Sequence, residues 1–235
     1  MNPSFDPVGF VLWFVAFLFS TTCHEAAHAW AALRGGDETA RRAGQVTLHP
    51  LPHIRREPFG MVVVPVLVYM LSGYMIGWAS APYDPVWAAR HPRRAGLMAA
   101  AGPAANFLLA GLAVVAIRVL VAAGWGLPPD VATFDMLLRP VSGDPLALAG
   151  MQFLSILAWL NVLLGVFNLI PLPPLDGASV LESFGGPAAA RAMEVVRSVP
   201  MAGLIGLLVA WQVFGFLAGP LFRVVLDVVH PGLYG

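Results

Sequence analysis

The chain has 235 residues, 58% of them hydrophobic and 11% charged, which leaves too few charged groups to cover the surface of a soluble domain and defines a membrane protein. Thirteen arginines balance thirteen carboxylates, so a net charge of zero gives no reason to expect nucleic acid as a partner. The single cysteine, Cys23, excludes an internal disulfide framework.

The leader MNPSFDP lacks the charged n-region and small-residue cleavage site of a signal peptide, so the apolar run behind it is expected to stay in the mature chain. Residues 8–33, 95–123, 146–170 and 201–229 each supply the roughly 20 mostly apolar residues that a membrane-crossing helix needs. Gly102-Pro103 is expected to interrupt the second of these near its start, and Gly219-Pro220 to kink or break the fourth. The third ends in Pro171, Pro173 and Pro174, which cannot continue a regular helix. Residues 60–79 are apolar enough to span but contain Pro65, Gly73 and Gly77; they form either a full span or a re-entrant, partly extended loop. The expected fold is a polytopic α-helical membrane protein of about four to six transmembrane helices, with a re-entrant or β-like segment after the first. No loop has room for a soluble domain, so residues 1–235 read as one membrane domain.

Arginine placement bears on the ambiguous segment, because cytoplasmic loops carry the positive excess. Eight arginines lie between Arg34 and Arg94, on both sides of residues 60–79, whereas residues 124–145 hold one arginine and three aspartates. A dip that returns puts both arginine clusters in the cytoplasm, the acidic loop outside, and Arg191 and Arg197 back inside. A full span would separate Arg90, Arg93 and Arg94 from the earlier cluster, so the re-entrant reading is preferred. The first and third long spans then run in the same direction, which places the end of each at similar depth near the cytoplasmic face.

His24, Glu25 and His28 form H-E-x-x-H in the second half of the first span. On a helix the two imidazoles lie one turn apart on one face and both reach one metal ion, while Glu25 is placed to act as general base on a metal-activated water. Ionisable side chains inside a membrane span are costly and default to functional roles, which favours metal binding over a chance pattern. Catalytic zinc takes three protein ligands and an open position, so a third ligand must come from elsewhere. Most other acidic residues sit beside arginines or in loops; the exception is Asp176, behind the proline-broken end of the third span in NLIPLPPLDG. On residues alone, Asp176-Gly177 is equally a turn or a helix N-cap.

These two motifs, together with AGPAAN at residues 101–106, resemble the site-2 protease family of intramembrane zinc metalloproteases, whose signatures are H-E-x-x-H, N-x-x-P-x-P-x-L-D-G and G-x-P-x-x-N. The likeness extends through GGDETARRAGQVTLHPLPHI and covers the chain to about Phe184, so the resemblance implies a catalytic core over residues 8–184 and apolar helices over 185–235. It implies that His24, His28 and Asp176 ligand one Zn2+, that Glu25 activates the water that attacks an amide carbonyl, and that Asn168 supports substrate backbone or the oxyanion. Gly102, Pro103 and Asn106 would shape the site, as would Pro171, Pro173 and Gly177. Asn161, one heptad before Asn168, reads instead as an interhelical hydrogen bond. Soluble regulatory domains carried by many relatives have no room here, so the chain looks like the compact core alone. Compact relatives read TLNP where this chain has TLHP; His49, His53 and His91 are taken as loop histidines, and Cys23 as a packing residue.

The resemblance further implies a membrane-protein substrate with a single transmembrane helix, the lipid bilayer as the second partner, and residence in a bacterial or archaeal cell membrane. Hydrolysis requires unwinding of the substrate helix, for which strand-like pieces at 45–48 or 60–79 could add a strand. A polytopic zinc-binding or transport protein is the alternative, and Glu25, which a transporter does not need, separates the two. An inactive family member is disfavoured because the expected catalytic residues are all present.

Overall fold

The computed structural model describes residues 6–234; residues 1–5, on which the signal-peptide expectation partly rests, lie outside them. In chain order the elements are α1 (Pro7–Gly35), α2 (Thr39–Arg42), α3 (Pro50–Arg56), a π-helical turn (Phe59–Val63) running into α4 (Val64–Ser72), α5 (Pro85–Arg90), α6 (Pro92–Ala122), β1 (Gly126–Leu127), β2 (Arg139–Pro140), α7 (Pro145–Asn168), α8 (Asp176–Phe184), α9 (Gly186–Ser198) and α10 (Ala202–Val229). Asp-Pro pairs start α1, α5 and α7: the proline sits where no helical N–H bond is needed, and the carboxylate of Asp6, Asp84 or Asp144 accepts an amide of the first turn.

Among the described residues α1, α6, α7 and α10 are long and apolar enough to cross a membrane. Neither proline ends its helix, since α6 runs through Pro103 and α10 through Pro220. A proline removes one helical hydrogen bond; Pro103 is buried among neighbouring helices that hold α6 together there, whereas Pro220 is exposed. Small residues make the close packing: along α6 the buried positions are Gly96, Ala99, Gly102, Pro103, Asn106, Ala110, Ala113 and Ile117. The opposite stripe of Leu108, Leu112, Val115 and Val119 is exposed, as a lipid-facing surface requires. This division suits a helix whose association gains nothing from hiding apolar surface and depends on contact between backbones.

Helices α1 and α7 run parallel. Phe17 shares a buried cluster with Ile156 and Leu160, Ser20 bonds Asn161, and His24 meets Asp176. Helix α6 runs against both, with Met98 at His28 and Asn106 at His24. A second cluster joins Ala113 and Ile117 of α6, Trp159 of α7 and Val225 and Val229 of α10 at the opposite end.

The ambiguous segment is helical and re-entrant. Phe59–Ser72 falls short of the length needed to span, and its two ends are tied together: Arg56 Nε donates to Ser80 Oγ at 3.2 Å, which donates to Glu57 Oε1 at 2.6 Å. Asp84 donates its amide to Asp37 Oδ2 at 2.8 Å, and Trp87 and Arg94 both donate to the Gly35 carbonyl at 3.1 Å. The chain therefore leaves the end of α1 and reaches α6 at the same end of the bundle, with all eight early arginines beside it. The β-like alternative does not hold, because the backbone groups of Phe59–Ser72 are used within helix. Residues 45–48 form no strand either: the Gln45 amide folds back to the Ala40 carbonyl at 2.9 Å, and His49 is drawn off to cap α3. Asp37 anchors this knot. Its burial alone would raise the carboxyl pKa, but hydrogen bonds from Thr39 and from the Asp84 amide hold it below the usual carboxylate range.

Single cysteines placed at Arg56 and Tyr83 in a Cys23→Ala background should react with a membrane-impermeant thiol reagent from one face, and a cysteine at Phe134 from the other. Labelling of positions 56 and 83 from opposite faces would contradict the re-entrant path.

Candidate metal centre

His24 and His28, one turn apart on α1, bring their Nε2 atoms to 2.9 Å. Asp176, the first residue of α8, places Oδ2 at 3.2 Å from the first and 3.3 Å from the second. The prolines after Asn168 end α7, and the chain turns through residues 170–175 with Leu172 and Leu175 bonded back to Ile170 and Leu172. A Cβ on Gly177 would lie 2.2 Å from the Leu169 carbonyl oxygen, so only glycine lets α8 start this close to the end of α7. That return aims the neighbouring Asp176 at α1.

The proton positions follow from the partners. His28 Nδ1 lies 2.7 Å from the Met98 carbonyl, which can only accept, so Nδ1 carries a proton and, in the neutral imidazole a metal requires, Nε2 carries the lone pair. His24 Nδ1 lies 2.6 Å from Asn106 Oδ1, which gives the same polarity. Two lone pairs thus face each other, and buried Asp176 Oδ2, which has no hydrogen-bond partner, joins them. Three electron-rich atoms repel at these separations unless a cation lies among them. Tetrahedral zinc with nitrogen and oxygen ligands at about 2.0–2.2 Å sets its ligand atoms about 3.3 Å apart, and the observed triangle of 2.9, 3.2 and 3.3 Å fits that ion.

Helix α6 closes one side. Met98, Gly102 and Asn106 recur at every fourth residue on one face of α6, and a Cβ on Gly102 would stand 2.3 Å from His28 Nε2 and 2.5 Å from His24 Nε2. Any side chain there would take the place of the ion. His24, Glu25 and His28 are 6%, 4% and 7% exposed, whereas the Asp176 side chain is 22% exposed, so the centre is open on the side of α8.

Among the described residues no other histidine joins this group. His49 Nδ1 accepts the Leu51 amide, His53 Nε2 bonds the Thr47 carbonyl, and His91 precedes α6 beside the Trp87 ring. His230 bonds the Leu137 carbonyl, in the cluster at the other end of the bundle. Cys23 is a buried free thiol outside the group. Pro171 and Pro173 lie in the turn before Asp176, and Pro103 follows Gly102 on α6. Asn168 stands apart: its Nδ2 donates to the Leu164 carbonyl of its own helix at 2.9 Å. Sequence reasoning missed the contact of Asn106 with His24 and that of Met98 with His28. The four-residue spacing of 98, 102 and 106 was the available signal, but a backbone carbonyl leaves no trace in residue identity.

Two imidazoles and a carboxylate converging on one point between parallel spans, with a buried glutamate next in sequence to the first imidazole, are the arrangement expected of a membrane-embedded zinc metalloprotease. The sequence profile of Peptidase family M50 matches residues 12–207, and the chain belongs to that family, the site-2 proteases. Among curated proteins it is 33% identical over 185 residues to "Putative zinc metalloprotease YwhC" of Bacillus subtilis (strain 168), covering 78% of this chain and 74% of the relative. It is 30% identical over 213 residues to "Putative zinc metalloprotease Rip2" of Mycobacterium tuberculosis (strain H37Rv), covering 91% of this chain and 72% of that one. The protein of the same name from Mycolicibacterium smegmatis is 31% identical over 191 residues, 80% of this chain and 62% of the relative. No solved structure matches the chain. Its function is that of an intramembrane zinc metalloprotease acting on membrane proteins.

Gly102→Ala should abolish zinc binding without unfolding the bundle, because the new methyl occupies the metal position. Metal analysis of the purified variant checks this, and one zinc per chain in that variant would refute it.

Proposed function

We propose that His24, His28 and Asp176 hold the catalytic zinc and that Glu25 is the general base and acid of peptide hydrolysis. The observation that carries this reading is the convergence of two imidazole lone pairs and an unpartnered carboxylate oxygen on one point. Zinc bound there would lower the pKa of water and polarise the scissile carbonyl. Glu25 takes the proton from the attacking water and passes it to the leaving amine, a task for which its burial beside His24 strengthens its charge interactions. Asn168, released from the Leu164 carbonyl, donates its amide to substrate backbone or to the developing oxyanion. Gly102 leaves the space for the ion, Asn106 holds His24, and Pro171, Pro173 and Gly177 shape the turn that delivers Asp176.

The substrate is a membrane protein with a single transmembrane helix, cut near the arginine-bearing end of the bundle. Excess arginine at that end supports a cytoplasmic orientation, in the cell membrane of a bacterium or archaeon. His24 lies eleven residues before the end of α1, about 16 Å along the helix axis, so the scissile bond sits below the membrane surface. Residues 75–84 form no helix, and Met75 shares a buried cluster with Phe17, one heptad before His24. An unwound substrate can pair with that stretch by strand addition. The catalytic core spans residues 8–184 within one membrane domain, with the amphipathic α9 and the apolar α10 of residues 185–235 beside it.

Glu25→Gln tests the mechanism. Reconstituted with a single-span substrate, this variant should bind one zinc and cleave at least about a hundredfold more slowly, the scale of lost general acid–base catalysis. Undiminished cleavage would refute the assigned role.

A further inference from the structure

The buried hydrogen bonds that end at His24 have a direction, and it is set on α7. The Leu157 carbonyl can only accept, and it lies 2.9 Å from Asn161 Nδ2, which also donates to Ser20 Oγ at 2.8 Å. With that nitrogen committed, Asn161 turns Oδ1 toward Asn106, whose Nδ2 lies 2.8 Å away. Asn106 must then present Oδ1 to His24 Nδ1 at 2.6 Å, so the imidazole carries its proton on Nδ1. Ser20, Asn106 and Asn161 are each 0% exposed, and no water competes for these positions.

We propose that Asn161 is a positioning residue for zinc: it touches neither metal nor substrate, yet it selects the His24 tautomer that can ligand the ion. This rests on the reading of His24 as a ligand. The two imidazoles differ in how they are held. His28 is fixed by a backbone carbonyl, which cannot turn over, whereas His24 is fixed by a side-chain amide, which can. A flipped Asn106 would offer its NH2 to His24 Nδ1 and drive the proton to Nε2, removing the lone pair that zinc needs. The flip is blocked because it would set Asn106 Oδ1 against Asn161 Oδ1, two acceptors in a buried site.

The test is zinc affinity, measured by competition with a chromophoric chelator on the full-length protein in nanodiscs. Wild type, His24→Ala, Asn161→Leu, Asn161→Ala and the double variant Asn106→Asp/Asn161→Leu are compared. Either substitution at Asn161 should weaken zinc binding by about tenfold to a hundredfold, the usual scale for loss of a ligand's orienting partner. The double variant should recover most of that loss, because a carboxylate at 106 offers only acceptors and cannot present a donor to His24. A merely structural role for Asn161 would leave the double variant as weak as the single ones, which would overturn the proposal, as would wild-type affinity in both single variants. If His24→Ala binds zinc as tightly as wild type, the reading of the metal centre fails first and takes this inference with it.

Discussion

Everything at the site depends on one electrostatic constraint: three electron-rich atoms have been brought within about one ligand-to-ligand distance of each other inside a membrane. The repulsion among two imidazole lone pairs and a carboxylate is tolerable only around a cation, and the fold spends much of its specificity on keeping them together. Hydrogen bonds from α6 fix both imidazoles with their Nε2 atoms inward. The proline-terminated end of α7 and the glycine at 177 return Asp176 to the same point.

Packing follows from that requirement. The histidine pair on α1 and the aspartate behind α7 meet because those helices run parallel and close, with an antiparallel helix across them. The run of glycine and alanine on α6 allows the approach, and at Gly102 it leaves the volume of the ion itself. Proline inside α6 does not break this arrangement, since helices on either side hold the axis. The re-entrant hairpin then brings the chain back to the end from which it left, which is what allows α6 to start beside the end of α1.

Much of this was legible in the residues. The four long spans followed from apolar length, the return of residues 60–79 from the arginines on both sides, and the meeting of His24, His28 and Asp176 from H-E-x-x-H and the resemblance carried by the second motif. Other features were not legible for identifiable physical reasons. The helical state of Phe59–Ser72 was obscured because Pro65 lies within it and Gly73 and Gly77 follow it closely; Pro65 falls in the first turn of α4, where a proline is tolerated. Continuity of α6 through the buried Pro103 is likewise a tertiary effect. The orienting role of Asn106 depends on which end of an amide faces which neighbour, and the clue to that lies in the carbonyl of Leu157, two helices away from the ligand's own chain segment.

The central claim is that one zinc is bound by two imidazole nitrogens and one carboxylate oxygen. X-ray absorption spectroscopy at the zinc edge of the purified protein measures this directly. The account predicts a first shell of light atoms only, with outer-shell scattering from two imidazole rings. A sulfur atom in the first shell, which would bring in Cys23, or scattering from three rings, which would bring in a loop histidine, would contradict it.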